Sequence, residues 1–243
     1  TRVVVAAAGG KAFSAGGDIR ALYDLGLAGR HADMLPFWRE EYVLNAFIKR
    51  YPKPYVSLID GICMGGGVGL SVHGSHRVAG DRFLFAMPEV SIGFFPDVGA
   101  TWFLPRMPAK SGLFLGLTGA PLNAADALWA GLADRAARAE DHGPLLEGIA
   151  SARWHGDQAT DAEQLDDLLR ALPPADLAPG QLAPHRERID ALIGPHDTLS
   201  TIAPRLRSLA GEADAWLAAA GSSFQKGSPT SAALAIALQR RLR

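Results

Sequence analysis

The chain has 243 residues, of which 48% are apolar, so it can bury one large core or a core with a smaller appendage. Its formal net charge is −1, and this near-neutral balance without a long basic run argues against a nucleic-acid partner. Its apolar runs are too short for a membrane span, and a single cysteine, Cys63, excludes an internal disulfide framework and a cysteine-cluster metal site.

The first sixty residues predict strands and a helix around a glycine-rich loop. Residues 3–8 are an apolar run that predicts a buried strand, and this strand leads into the loop "GGKAFSAGGDI". Apolar side chains spread along residues 33–50 predict a helix. Behind Pro54, the short run Tyr55–Ile59 predicts a second strand, which ends before Gly61.

The next stretch combines glycines with apolar side chains. The sequence "MGGGVGLSVHG" predicts a tight turn that leads into a helix. Residues 77–79 and 82–86 predict two strands that pair with each other through a turn at Gly80-Asp81.

From Asp97 onward the pattern becomes helical. Asn123 is the predicted N-cap of a helix over "AADALWAGLAD". Prolines interrupt the pattern at residues 172–184, and amphipathic helices are predicted beyond them. The clearest cover residues 197–209 and 228–238.

These patterns divide the chain into two predicted regions. Residues 1–140 are predicted to form a mixed α/β catalytic core, and residues 141–243 a helical C-terminal region. The chain opens in the apolar run "VVVAAA" and closes in the helical pattern "LQRRLR", so we expect further strands before it and further helices after it. One cysteine fits a reducing compartment, and a cytoplasmic location is expected.

Two glycine clusters, "AGGD" at residues 15–18 and "MGGGVG" at residues 64–69, are candidates for binding an oxyanion. Glycine permits positive φ, and a glycine turn at a helix start leaves N–H groups free to face a ligand. One such cluster alone is more typical of an ordinary turn. Neither fits a phosphate-binding P-loop, which needs Lys-Ser or Lys-Thr after its last glycine, or the dinucleotide spacing G-x-G-x-x-G.

The sequence "GLSVH" resembles a nucleophile elbow in which His73 stands in place of the last glycine. Ser71 with His73 or His76 would then form a nucleophile–base pair. The alternative is that these residues lie in a helix and at its end with satisfied hydrogen bonds. The remaining histidines show no metal-ligand spacing.

Two carboxylates, Glu89 and Asp97, stand eight residues apart in the largely apolar stretch "MPEVSIGFFPDVGA". Asp97 precedes "VGATWFL" and would serve as a helix N-cap. Glu89 lies among apolar residues, where burial makes a carboxylate more basic and suits a general base. Two acids beside two oxyanion donors would form an acyl-transfer site.

Several stretches of the chain are together specific to one family. They are "GGKAFSAGGDI", "REEYVLN", "KPYVSLIDGICMGGGVGLSVHG", "FAMPEVSIGFFPDVGATWFLPR" and "LTGAPLNAADALWAGLAD", with "GSSF" and "SPTS" in the sparser match beyond residue 135. They resemble the crotonase superfamily, the enoyl-CoA hydratases and isomerases. The resemblance implies an α/β fold, the crotonase-type spiral of ββα units, with a helical C-terminal region.

The resemblance also implies an oxyanion hole made by two peptide N–H groups, which fall here on Gly17 and Gly66. Hydratases of the family carry a glutamate three residues after the second of these glycines, where this chain has Gly69. Water addition to a double bond uses two glutamates in those enzymes. The resemblance therefore points to the branch of the family that hydrolyses thioesters.

The hydrolase branch implies roles for three acids that this chain keeps. Glu89 would attack the thioester or activate water, and Asp97 would orient the attacking group. Glu41, in "REEY", would hydrogen-bond the 3-hydroxyl of a short 3-hydroxyacyl-CoA. Further substrate contacts are implied at Ala15, Asp18 and Ile19.

The implied partner is an acyl-CoA substrate, with coenzyme A as part of that substrate and with no metal or other cofactor. Neither nucleic acid nor a membrane is expected as a partner, and assembly into a homo-oligomer is an open expectation. Two alternatives stand beside the hydrolase. One is an enoyl-CoA hydratase or isomerase that works with one acid, and the other is a non-catalytic acyl-CoA-binding subunit.

Overall fold

A computed structural model describes residues 1–241 of the chain. The strands in this range are β1 (Val4–Ala7), β2 (Ala12–Ser14), β3 (Tyr55–Ile59), β4 (Ile62–Met64), β5 (His76–Gly80), β6 (Leu84–Ala86) and β7 (Arg135–Ala137). The α-helices are α1 (Ile19–Leu27), α2 (His31–Lys49), α3 (Gly66–Ser71), α4 (Ala100–Phe103), α5 (Ser111–Thr118), α6 (Ala124–Ala130), α7 (His142–Ser151), α8 (Gln158–Arg170), α9 (Leu182–Leu192), α10 (Leu199–Ser208), α11 (Ala215–Lys226) and α12 (Pro229–Arg241). None of the helices in this range is long and apolar enough to cross a membrane.

The chain forms two compact units, each built from two separate stretches of sequence. Unit 1 consists of Thr1–Phe83 with Leu132–Leu177. Unit 2 consists of Leu84–Gly131 with the described part of Ala178–Arg243. The helices beyond residue 141 are therefore shared, with α7 and α8 in unit 1 and the rest in unit 2. The predicted division at residue 140 into a catalytic core and a C-terminal region stays a prediction.

Unit 1 contains a four-stranded parallel sheet in the order β1-β3-β5-β7. Parallel strands cannot be joined by tight hairpins, so the chain crosses over between each pair. Helices α7 and α8 cover apolar side chains of the sheet. The buried residues of this core are Val56, Leu58, Val78, Ala137, Leu145, Ile149, Leu165 and Leu169.

The predicted strands at residues 3–8 and Tyr55–Ile59 are confirmed as β1 and β3. The expected burial of the first strand is wrong, because β1 lies at the edge of the sheet and its residues are half-buried or, at Ala7, exposed. The predicted pairing across Gly80-Asp81 is wrong. Strand β5 has parallel partners on both edges, with Val56 opposite His76 on β3 and Val78 opposite Arg135 on β7. These partners are about twenty and sixty residues away, so the local turn pattern at Gly80-Asp81 could not indicate them.

The chain runs twice through the order strand, strand, helix within unit 1, as β1-β2-α1 and as β3-β4-α3. The first strands of the two repeats pair in parallel, and so do the second strands. The loops that follow β2 and β4 consequently lie side by side. This stacking brings residues 15–18 next to residues 65–67 and positions both glycine clusters.

Two helices follow strand β2, of which α1 completes the first repeat. Helix α1 was not predicted, although Asp18 caps it and its carboxylate accepts a hydrogen bond of 2.9 Å from the Ala21 N–H. Helix α2 confirms the helix predicted over residues 33–50. It packs against α3, so it reaches the loop that follows β4.

Unit 2 is largely helical and is centred on α5, whose residues are all buried. The predicted N-cap Asn123 is confirmed, since its side chain accepts a hydrogen bond of 3.0 Å from the Asp126 N–H. Asp126 in turn accepts one of 2.7 Å from the Leu182 N–H and so ties α6 to α9. Helices α10 and α12 confirm the helices predicted over residues 197–209 and 228–238.

Candidate active site

The two glycine clusters form neighbouring loops in unit 1. Gly16 and Gly65 have φ angles of +99° and +50°, a region that glycine adopts at low cost. A β-carbon on Gly16 would lie 3.1 Å from the nitrogen of Gly66, and a β-carbon on Gly66 would lie 3.5 Å from the nitrogen of Gly17. The loops thus need glycine for their turns and for their close approach, and they bring the backbone nitrogens of Gly17 and Gly66 into one neighbourhood.

Both nitrogens are available as donors. Within residues 1–241, neither the Gly17 N–H nor the Gly66 N–H donates a hydrogen bond to the chain. Gly66 is the first residue of α3, and the leading N–H groups of a helix have no acceptor inside it. Two adjacent free donors can stabilise one developing oxyanion, which is the chemistry that the predicted role of these glycines requires.

One face of α2 lies over the two loops. Phe37 and Glu41 are four residues apart and share this face. A β-carbon on Gly17 would collide with the Phe37 ring, and a β-carbon on Gly66 would collide with Oε1 of the half-buried Glu41. The structure therefore brings the predicted substrate-binding acid Glu41 into contact with the loop that carries one of the predicted oxyanion donors.

Asn45 continues this face of α2 one turn further and lies over α3. A β-carbon on Gly69 would lie 2.6 Å from Asn45 Nδ2 and 2.9 Å from Asn45 Oδ1. The amide of Asn45 therefore occupies the space into which a side chain at position 69 would project. Phe37 and Asn45 were not predicted from the sequence, and the signal that could have revealed them is their spacing of four residues on either side of Glu41.

The three remaining predicted substrate contacts flank the first glycine loop. Ala15, Asp18 and Ile19 are all exposed, with 54% of Ile19 accessible to solvent. The carboxylate of Asp18 is engaged as the cap of α1 through the Ala21 N–H. Asp18 has a structural role in this loop, and the substrate contacts of all three residues stay predictions.

Glu89 is buried in unit 2, where it begins the short 3-10 turn Glu89–Ile92 after β6. Two backbone contacts hold this turn. The carbonyl of Val90 accepts a hydrogen bond of 2.9 Å from the Ser228 N–H, and a β-carbon on Gly119 would lie 3.0 Å from the Cα of Pro88. The later motif "SPTS" thus supports the turn that carries the predicted catalytic glutamate.

Asp97 is half-buried and lies in the same unit, just before α4. The expectation that it caps this helix is wrong, because the N-cap of α4 is Gly99 and no side chain caps it. The intervening Val98 has a φ of +43°, which is strained for a β-branched residue. Strain of this kind is found at functional sites, and the carboxylate of Asp97 is not committed to capping.

The contacts of Ser71 fit a structural role in helix α3 better than the role of a nucleophile. Its buried hydroxyl donates within α3 to the carbonyl oxygen of Gly67 at 3.0 Å, and its Oγ lies 3.3 Å from Sγ of Cys63. Burial raises the pKa of the Cys63 thiol to about 12, so this thiol is not ionised near neutral pH. His76 Nδ1 lies 2.8 Å from the Ser75 hydroxyl.

In residues 1–241, no group of three or more His, Cys, Asp or Glu side chains is arranged to hold a metal ion.

The predicted residues therefore fall into two groups. Unit 1 brings together Gly17, Gly66 and Glu41, which supply two amide donors and a carboxylate. Unit 2 holds Glu89 and Asp97, which supply two further carboxylates. The joint action of the two groups on one substrate stays a prediction from the sequence.

Comparison with known proteins places the chain in a family. The model of the enoyl-CoA hydratase/isomerase family matches residues 1–243. The chain belongs to the enoyl-CoA hydratase/isomerase family. Among solved structures, an enoyl-CoA hydratase from Rhodobacter sphaeroides is 38% identical, with a TM-score of 0.83 over 99% of this chain and 66% of that one. A carnitinyl-CoA dehydratase from Mycobacterium thermoresistibile matches with the same values. The predicted crotonase fold is thus confirmed.

Curated relatives in this family carry the name of a thioester hydrolase. The 3-hydroxyisobutyryl-CoA hydrolase of Xenopus tropicalis is 48% identical over 190 residues, which are 78% of this chain and 49% of that protein. The hydrolase of the same name from Danio rerio is 42% identical over 230 residues, 94% of this chain and 58% of that protein. The predicted resemblance to the hydrolase branch is confirmed, and the chain spans about half the length of these relatives.

The same names describe those animal proteins as mitochondrial. The cytoplasmic location expected from the sequence stays a prediction for this chain.

Proposed function

We propose that this family member hydrolyses the thioester of 3-hydroxyisobutyryl-CoA, or of a related short 3-hydroxyacyl-CoA, to the free hydroxy acid and CoA. The observation that carries the proposal is the meeting of two free backbone donors, Gly17 and Gly66, with the carboxylate of Glu41. The substrate is inferred from the relatives' names. The proposed place of the reaction is the breakdown of valine.

The proposed reaction begins with polarisation of the thioester carbonyl. The carbonyl oxygen accepts hydrogen bonds from the Gly17 and Gly66 N–H groups, which stabilise the negative charge of the tetrahedral intermediate. Glu89 either attacks the carbonyl carbon or removes a proton from an attacking water. Asp97 orients the attacking group. The carbon–sulfur bond then breaks, and CoA leaves as a thiol after gaining a proton. If water attacked, this step gives the free acid directly. If Glu89 attacked, it gives an acyl–glutamate anhydride, which water then hydrolyses to release the acid and restore the carboxylate.

Glu41 would give this reaction its preference for a hydroxylated acyl group. Its carboxylate lies against the Gly66 loop, where a hydroxyl three carbons along the acyl chain could donate a hydrogen bond. A site built to bond a hydroxyl rejects an analogue without it, because its buried polar groups are then left unpaired. Coenzyme A enters and leaves with the substrate, and the proposal includes no metal or other cofactor.

A thiol-release assay over a panel of short acyl-CoA thioesters tests the proposal. We expect release of free CoA from 3-hydroxyisobutyryl-CoA and 3-hydroxypropionyl-CoA to exceed release from isobutyryl-CoA. Replacement of Glu41 by alanine should weaken that preference, whereas Glu40→Ala, on the exposed neighbour, should leave it unchanged. Binding of these thioesters without thiol release would instead support the non-catalytic acyl-CoA-binding alternative.

An enoyl-CoA hydratase or isomerase is the second candidate. The two solved structures at 38% identity favour it, since one is named a hydratase and the other a dehydratase. Gly69 argues against it, because this position offers no side chain to act on water beside Glu89. Assembly into a homo-oligomer remains part of the proposal for either reaction and can be measured by light scattering.

A further inference from the structure

Asn45 carries a buried amide that the chain leaves without a partner. Only 5% of the residue is exposed. Neither Oδ1 nor Nδ2 of its side chain has a hydrogen-bond partner within residues 1–241. A buried amide without partners is unfavourable, because its hydrogen bonds to water are lost on folding and not replaced. The amide is therefore expected to bond a group that does not belong to the chain.

The surroundings of Asn45 point to the substrate. The residue lies one helical turn, about 6 Å, from Glu41 on the same face of α2. Glu41 contacts Gly66, and the Asn45 amide contacts Gly69 one turn later on α3. The two polar side chains thus follow each other along the contact between α2 and α3, beginning at the predicted oxyanion donor.

The chemistry of the two side chains selects the partner. The Asn45 amide offers both a donor and an acceptor, and the Glu41 carboxylate offers acceptors. A hydroxyl group matches this set, because its proton can be given to an acceptor while its oxygen accepts from Nδ2. An anionic ligand group would be repelled by Glu41, and an apolar group would leave the amide unpaired.

We propose that Asn45 is a specificity-determining residue whose amide hydrogen-bonds the hydroxyl of the acyl group together with Glu41. This inference rests on the proposed function, since it names a further contact of the same substrate. It also explains why residue 69 is a glycine, because any side chain at that position would displace the Asn45 amide.

The test compares two thioesters that differ only in this hydroxyl, 3-hydroxyisobutyryl-CoA and isobutyryl-CoA. The measured quantity is the ratio of their kcat/KM values for thiol release. Asn45→Leu removes both polar atoms at similar size, and Asn45→Ala removes them with more room should the leucine variant fail to fold. We expect either variant to lower the ratio about tenfold, the size of one neutral hydrogen bond. A purely structural role would lower both kcat/KM values together.

The chain offers a matched control in Gln239. Its amide is also buried, lacks a partner within residues 1–241, and faces a glycine, with Nε2 lying 2.7 Å from a β-carbon placed on Gly116. Gln239 lies in unit 2 and not on α2. Gln239→Met should leave the ratio unchanged. An unchanged ratio in both Asn45 variants, or an equal fall in Gln239→Met, overturns the inference.

Equilibrium binding separates this inference from the proposed function. Thioether analogues of the two thioesters cannot be hydrolysed, so their dissociation constants report recognition alone. If the wild-type chain releases no thiol but prefers the hydroxylated analogue, and Asn45→Ala abolishes that preference, the hydrolase proposal fails and the role of Asn45 stands. If the wild-type chain binds both analogues equally, the role of Asn45 is overturned.

Discussion

Glu89 is a buried carboxylate whose neighbours in sequence are mostly apolar. The turn that carries it is fixed by contacts from distant parts of unit 2, through the Ser228 N–H and through Gly119. A rigid, buried acid suits a group that must meet a substrate in one geometry.

We predict that Glu89→Gln lowers the turnover number for thiol release by about 10²-fold or more, the usual contribution of a general base. The amide keeps the shape of the side chain but cannot accept a proton or attack. Asp126→Asn is the control, because Asp126 is an equally buried acid of unit 2 that bonds the Leu182 N–H. Its turnover per folded molecule should be normal. Near-normal turnover in Glu89→Gln would assign the chemistry to another residue.

His142 should make the stability of the chain depend on pH. Burial lowers the pKa of His142 in the folded state, despite the opposing effect of nearby Asp60. The unfolded chain takes up this proton near pH 6.5, above the folded value, so the stabilisation is complete above about pH 6.5 and is lost as the pH falls. We predict that His142→Gln loses less stability than the wild type between about pH 7 and pH 5. Urea unfolding across this range measures it, and parallel curves for the two proteins would contradict it.

At the scale of elements, helices α2 and α3 support the part of the candidate site that lies in unit 1. Each of the α2 residues Phe37, Glu41 and Asn45 lies against a glycine that leaves no room for a β-carbon. The sequence was enough to predict helix α2 and the turn into α3, since both follow from local patterns. It could not predict which face of α2 covers the glycines, because that depends on how the two strand–strand–helix repeats stack.

Glycines in helices α7 and α5 test how a glycine inside a helix affects the stability of the chain. A β-carbon on Gly148 would meet only Leu168 Cδ2, at an ordinary contact distance of 3.7 Å. We predict that Gly148→Ala stabilises the chain by about 1 kcal/mol, because alanine favours a helix interior. Gly112→Ala in α5 should destabilise it by about 1–3 kcal/mol, since the new methyl group would collide with the backbone carbonyl of Leu104. Denaturant unfolding compares them, and equal effects would contradict the prediction.

Strands and caps show the limit of local patterns. Runs of apolar residues were enough to predict β1 and β3, although only β3, inside the sheet, is largely buried, whereas β1 lies at the edge and is half-buried or exposed. The turn residues Gly80-Asp81 suggested a hairpin, but the partners of β5 lie far away in the sequence. Asp97 had the right residue type for an N-cap, yet the chain turns at Val98 and Gly99 before α4 begins.

At the scale of the whole molecule, the sequence was most informative where many motifs agreed. The family and the fold followed from stretches along nearly the whole chain, and the family match covers residues 1–243. The composition of the two units could not be predicted, since each joins stretches that are far apart in sequence. Local periodicity reports neighbours along the chain, whereas a unit is defined by contacts across it.

The whole molecule either cleaves a thioester or hydrates a double bond, and Gly69 bears on which of the two reactions it performs. A carboxylate at this position would share the handling of water with Glu89, but the Asn45 amide fills the space where its β-carbon would lie. We therefore predict that the protein releases free CoA from a short 3-hydroxyacyl-CoA and hydrates crotonyl-CoA poorly. Gly69→Glu alone should add no hydration, because its side chain must first displace Asn45.

Both reactions can be followed on one preparation, thiol release with a thiol reagent and hydration by the loss of the enoyl thioester absorbance. Wild type and Gly69→Glu should differ in stability, since the buried Asn45 has little room to move, and neither should hydrate crotonyl-CoA rapidly. Fast hydration by the wild type without thiol release would reject the hydrolase proposal. It would leave membership of the enoyl-CoA hydratase/isomerase family intact, because that rests on the match over the whole chain and not on the reaction.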